Sequence, residues 1–241
     1  MNRIITVGRE FGSGGRELGR RLSEALSFAY YDQEIIEEIA KETSLSAEYV
    51  RTIVEKRPFF SYPIHTARTL YPQANPVLDQ NMEIYSQQHK IIKALAEKSD
   101  CIIVGRCADY ILRDMNPFRI FVYADTDSKI HRTRDKAAAR AKALAAGDVQ
   151  EIADMEKKEG SSHIEDDVSS INDKELKRRM DRIDKERARY YEFYTGQKWG
   201  SRENYDLLIN TTNISPADAA KNTAMLFKAQ CEREEERKKT D

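Results

Sequence analysis

Cysteine is scarce in this chain, with 3 in 241 residues and neither a C-x-x-C nor a paired Cys/His spacing. That argues against a disulfide framework or a structural zinc site and points to a reducing, cytoplasmic compartment. An excess of one charge is missing too: 40 basic residues face 41 acidic ones, for a formal net charge of -1. A general nucleic-acid coat or an anionic-membrane binder needs a broad basic surplus, so neither nucleic acid nor membrane is expected as a partner. No apolar run approaches the ~18 residues of a membrane span, and the opening run Ile4-Ile5-Thr6-Val7 is too short for a signal core. Proline is sparse as well, and four of the six (Pro58, Pro63, Pro72, Pro76) lie in one stretch with Phe59, Phe60, Tyr62 and Tyr71. Residues 58–76 therefore read as an irregular connection.

What is present is 40% hydrophobic and 34% charged, enough for a packed core under a charged surface and for one domain spanning 1–241. The largely apolar runs at 3–7, 101–104 and 118–124 read as buried strands, and 206–209 as a last strand. Between them, helical spacing predicts a helix from Arg16 to before Phe28, then helices over 33–43, 46–56 and 78–98. Ser46 is placed to cap the third of these, and Ser215 with Pro216 opens a last helix. Residues 128–203 form a charged, helical insertion broken near Gly147 and Gly160-Ser161-Ser162, and the tail from Glu232 to Lys239 reads as a solvated, fraying charge run. Apolar strands alternating with long helices imply an α/β fold with a parallel sheet covered on both faces. Ligands in such folds sit at the carboxyl ends of strands, which directs attention to the residues after Val7, Val104 and Ala124.

The strongest motif is Gly8-Arg9-Glu10-Phe11-Gly12-Ser13-Gly14-Gly15-Arg16-Glu17, between a buried strand and a helix. Small residues let backbone N–H groups turn in around phosphate oxygens, and the helix start adds positive potential. Gly12, Ser13, Gly14, Gly15, Arg16 and Glu17 are the expected phosphate-binding positions. The usual loop ends Gly-Lys-Ser/Thr, and that ending is absent. One register puts Gly15 in the lysine slot and Arg16 in the hydroxyl slot; a shift by one puts Arg16 and Glu17 there. Arg16 is the cation expected to replace the lysine.

Taken with Tyr30-Tyr31-Asp32, Val104-Gly105-Arg106-Cys107-Ala108-Asp109, Asp184-x-x-Arg187 and Tyr205-Asp206, the loop makes the sequence resemble the cytidylate kinase-like family. The resemblance runs from Ile4 to about Thr212. It implies a P-loop three-layer sandwich with a parallel sheet of about five strands, ATP with Mg2+, nucleotide substrates and a mobile basic helical lid. By the same resemblance Arg106 binds the monophosphate, although Cys107 stands where the family has aspartate. Asp184 and Arg187 match lid residues that contact the nucleotide, and another lid arginine falls on Met180, flanked by Arg179 and Arg182. Asp32 matches the start of an early monophosphate motif whose serine and arginine are not supplied by Gln33-Glu34.

Blander readings stand beside these. Arg106 could be a capping arginine and Asp32 an N-cap, and the lid helix with Arg178, Arg182, Asp184 and Arg187 could be a solvated, salt-bridged face. Asp125 and Asp127 read mainly as caps, and Cys107 has no histidine partner to make it a nucleophile. The expected activity is phosphoryl transfer from ATP to a nucleoside monophosphate (CMP-like) or a related small acceptor, with Arg16, Arg106 and Arg187 carrying it. The rival is a nucleotide-binding or sensing protein that kept the cradle and lost turnover.

Overall fold

The structure, a computed structural model, describes residues 2–54, 76–148, 150, 168 and 170–240. Except for Pro76, the segment 58–76 lies outside the described residues, as does Gly160-Ser161-Ser162. Five parallel strands form one sheet in the order β2-β3-β1-β4-β5. They are β1 (Ile4–Arg9), β2 (Ala29–Tyr31), β3 (Cys101–Val104), β4 (Phe118–Tyr123) and β5 (Leu207–Asn210). The central strand β1 pairs with β3 from Ile4↔Cys101 to Val7↔Val104, and with β4 from Ile5↔Phe118 to Arg9↔Val122. It is flanked by strands on both edges and by helices on both faces, which is why Ile4, Ile5, Thr6 and Val7 are all buried rather than alternating.

The two-residue pleat sorts the core into two halves. Ile5, Val7, Ile102, Val104, Ile120 and Val122 face α1 (Gly15–Leu26) and the last helix, meeting Leu18, Leu22, Ala220 and Phe227. Ile4, Cys101 and Ile103 face the other way, against α2 (Glu34–Thr43), α3 (Ala47–Val54) and α4 (Pro76–Lys98) through Ile35, Ile39, Val50 and Ile92. The short α5 (Ala108–Ile111) closes the same side after β3. The result is the three-layer P-loop sandwich expected from the sequence.

Local sequence explains most boundaries. Ser46 Oγ accepts from the Tyr49 N–H at 3.2 Å, and Ser215 Oγ accepts from the Asp218 N–H at 3.0 Å, so both serines cap helices. Asp125 caps α6 (Thr126–Ala146) by accepting from the Ser128 N–H at 2.7 Å. Asn172 does the same for α7 (Asp173–Thr195). The two helices are tied by Arg134, which donates to the Val168 and Ile171 carbonyls and to Asp173, over a small core of Ala137, Leu176 and Met180. Strand β2 was not expected, and the charged tail expected to fray continues α8 (Pro216–Thr240). Among the described residues no helix is long and apolar enough to cross a membrane.

Candidate functional site

Strand β1 ends at Arg9 and α1 begins at Gly15, so the glycine loop lies at the carboxyl edge of the sheet. Gly14 is the N-cap residue of α1 in the left-handed region, at φ 80, and contributes no side-chain cap to the helix start. A Cβ there would also meet Pro216 Cγ at 2.6 Å, so conformation and packing both require glycine. The rest of the loop is fastened from outside. Ser13 is fully buried, its hydroxyl donating to the Glu10 carbonyl at 2.8 Å and its carbonyl accepting from Thr211 Oγ1 at 2.7 Å. Arg132 Nη1 donates to the Gly12 carbonyl at 2.6 Å and Nη2 to the Thr211 carbonyl at 3.0 Å. A helix start left without a side-chain cap, beside a loop held rigid by its carbonyls, suits an anion better than a cation.

Helix α7 reaches the loop from the other side. Asp184 Oδ1 accepts from the Phe11 N–H at 2.7 Å, and Arg187 Nη1 lies 3.5 Å from the same oxygen. The Lys129 ammonium sits between Glu10 Oε2 at 3.0 Å and Asp184 Oδ2 at 3.7 Å. Burial pushes the Asp184 carboxyl above its ordinary value, against the pull of Arg187 and the Phe11 amide. Asp184, matched by resemblance to a nucleotide-contacting lid residue, is thus placed on the loop itself. Arg178 and Arg182 point to solvent, and Met180 is buried between α6 and α7.

Arg106 follows β3 at φ 60, and Cys107 after it has φ 54, so two non-glycine residues in succession occupy the left-handed region. Such a backbone persists only when neighbours hold it. Gln88 of α4, fully buried, does so by donating to the Arg106 carbonyl at 2.9 Å, and Tyr190 of α7 lies 3.4 Å from the Gln88 side-chain oxygen. Burial pushes the Cys107 thiol well up, which keeps it protonated.

Asp32 does not cap α2, because Gln33 is the N-cap residue there. Its buried carboxylate instead meets Arg16 Nε at 2.6 Å and Arg9 Nη2 at 3.9 Å. Arg16 therefore turns toward the end of β2. Arg9, Arg106, Arg187, Asp109, Tyr191 and Tyr205 line one narrow cavity of about 40 Å³. Of the residues singled out from the sequence, Arg106 and Arg187 meet at this cavity, and Asp32 adjoins it through Arg9. Arg9 and Asp109 stood inside the quoted motifs without a role of their own, and Gln88 and Lys129 went unnoticed. Of these, Arg9 left a signal, as a charged residue closing a largely apolar strand. Among the described residues no group of three or more His, Cys, Asp and Glu side chains could hold a metal ion.

A glycine loop between the first strand and first helix of this parallel sheet, faced by arginines from β3 and α7, defines a P-loop, kinase-like protein. The chain belongs to the cytidylate kinase-like family, which it matches over residues 4–167 and 152–213. Among solved structures it is similar to an uncharacterized protein from Eubacterium ventriosum, at 25% identity and a TM-score of 0.57, covering 95% of this chain and 98% of that one. It also shares its fold with a shikimate kinase from Bacteroides thetaiotaomicron, at 11% identity and a TM-score of 0.50, covering 94% and 98%. No curated protein matches its sequence.

Proposed function

We propose that the protein transfers the terminal phosphoryl group of ATP to a nucleoside monophosphate, CMP or a close analogue, or to a related small acceptor. The observation that carries this reading is the meeting of Arg106 and Arg187 at one cavity beside a glycine loop whose helix start has no side-chain cap. Gly12 to Glu17 supply the cradle for the donor phosphates. Arg106 holds the acceptor from the β3 side, and Arg187 neutralises charge on the group in transfer from the α7 side. The acceptor oxygen bonds to the terminal phosphorus as the bridging P–O bond to ADP breaks, so positioning and charge suffice. The protonated Cys107 thiol has no part in it. When bound, Mg2+ would supply charge neutralisation at the donor oxygens and take most of its ligands from phosphate and water, the carboxylates at the loop being Glu10, Glu17 and Asp184, the last bonded to the Phe11 amide.

A coupled ADP-release assay across a panel of nucleoside monophosphates with Mg2+ tests the reading. Saturable release with at least one acceptor, CMP foremost, is expected. The second reading, nucleotide binding without turnover, is favoured by the glycine at position 15 and by the Asp184 carboxylate already bonded to a loop amide. ATP binding by calorimetry with no ADP released from any acceptor would make it the better account.

A further inference from the structure

Gly15 occupies the position from which the loop lysine of an ordinary phosphate loop emerges, in the register that aligns Gly12-Ser13-Gly14. The space in front of it is filled. A Cβ built on Gly15 would lie 2.4 Å from Arg9 Cβ, 3.1 Å from Arg9 Cγ and 3.3 Å from Val122 Cβ. Arg9 thus starts its side chain where the lysine would start, from the end of β1 instead of the beginning of α1. From there it runs toward β3. Its Nη1 comes within 1.8 Å of where a Cβ on Gly105 would be, and its Nη2 lies 3.9 Å from Asp32 Oδ1. The guanidinium therefore ends at the wall that carries Arg106, lining the same cavity as Arg106 and Arg187.

A charged side chain buried at the end of a core strand is expensive unless something repays it. The Asp32 carboxylate is shared between two cations, its shorter contact, 2.6 Å, being with Arg16. Lys129, also buried beside the loop, is committed differently, since Glu10 and Asp184 both sit on its ammonium.

We propose that Arg9 takes the place of the missing loop lysine, contacting the donor's terminal phosphates, and that Gly15 is glycine because Arg9 needs its space. This rests on the donor-binding reading above. The guanidinium fork spans two phosphate oxygens where an ammonium meets them as a point. Arg16 then serves Asp32, and the cation of the loop has moved from the helix to the strand.

The test is a swap, read by calorimetry as affinity for ATP against adenosine in parent, Arg9→Gly, Arg9→Met and the double variant Arg9→Gly/Gly15→Lys. Arg9→Gly is expected to weaken ATP about 10–100-fold while sparing adenosine, the loss of one charge-assisted contact. The double variant should recover most of that, because glycine at position 9 clears the space a lysine at 15 requires. Gly15→Ala in the parent should itself weaken ATP, and the same change should be tolerated once position 9 is glycine. If Arg9→Gly does not fold, Arg9→Met carries the test, since it keeps the aliphatic stem and removes the charge. ATP affinity equal to the parent's in the folded Arg9 variants overturns the assignment and leaves the donor-binding reading standing. A parent that binds no nucleotide removes that reading and this one together.

Discussion

The two ends of the sheet carry arginine–carboxylate contacts of opposite character. At the amino end, Arg3 grips Asp100 through Nε and Nη2 at 2.8 and 2.6 Å, and Arg119 grips Asp206 in the same way at 3.1 and 2.8 Å. Each arginine there has its own carboxylate, and the Arg3–Asp100 pair is 54% and 29% exposed. At the carboxyl end, Arg9 and Arg16 share Asp32, and the Arg9–Asp32 pair is 8% and 5% exposed. Cavity size ranks the ends the other way: the amino end opens on about 720 Å³ and the carboxyl end on about 40 Å³. Buried guanidinium groups converging from separate elements are costly to assemble, and that cost marks the end where an anionic ligand would repay it.

The contrast breaks most readily at Arg106. Arg106→Ala should lower turnover about 10²–10³-fold, the loss expected for a preorganised donor to a transferring phosphate. Arg187→Ala should lower kcat similarly with little change in ATP affinity. Arg3→Ala, at the other end, should leave turnover alone; a comparable fall there would show that the two ends do not differ as argued.

Next in size is the clamp behind Arg106. Gln88→Leu removes the donor to the Arg106 carbonyl from a fully buried place and should cost about 1–3 kcal/mol in urea unfolding. It should also raise the KM for acceptor more than it lowers kcat, because Arg106 loses its fixed backbone. A variant that is destabilised but keeps the parent's KM would reduce Gln88 to a packing residue. Smaller again is Arg119→Ala, expected to cost about 0–1 kcal/mol because its pair is partly exposed.

The smallest effect concerns Asp109, whose carboxyl is pushed above its ordinary value by burial and pulled part of the way back by the Tyr191 hydroxyl, donating at 2.7 Å. Between the ordinary carboxylate value and the raised one, the folded chain binds more protons than the unfolded chain. The Asp109 contribution therefore falls as pH rises through that window and stays lower above it. Melting temperatures measured across about pH 4 to 7 should fall less steeply for Asp109→Asn than for the parent. Parallel curves would mean that Asp109 keeps its ordinary affinity for protons.

Four of the five strands were legible because each carries a short, mostly apolar run, largely buried in β1, β3 and β4 and half-buried in the edge strand β5. The strand β2 was not, since Ala29–Tyr31 is three half-buried residues at the sheet edge with no run to read. Helix caps at Ser46, Asp125 and Ser215 were legible because capping is local chemistry. Asp32 was harder: only the tertiary fold reveals that its carboxylate serves two arginines and that Gln33 takes the cap position. Sequence pointed to Arg16 as the replacement for the loop lysine, and only the fold shows that its Nε meets Asp32 at 2.6 Å. Sequence neighbours compete for a slot on paper, whereas in space the slot at Gly15 is filled by a residue six positions earlier. Gln88 gave no warning either, since a buried polar residue inside a long helix shows only when its partner comes into view.

The tie between Thr211 and Ser13 has a consequence for how the protein is made. The loop is synthesised well before Arg132 and Thr211, which fasten its carbonyls, and the hydroxyl bond to Ser13 spans 198 residues. Strand β1 likewise waits for β3 and β4, whose residues lie near and beyond position 100. Contacts this distant are slow to close and give no early foothold. A nascent chain halted before β5 would hold the whole glycine sequence without the geometry to use it. Affinity for nucleotide should consequently arrive last during synthesis, and ribosome-arrested chains of increasing length should gain it abruptly once β5 and the start of α8 have emerged.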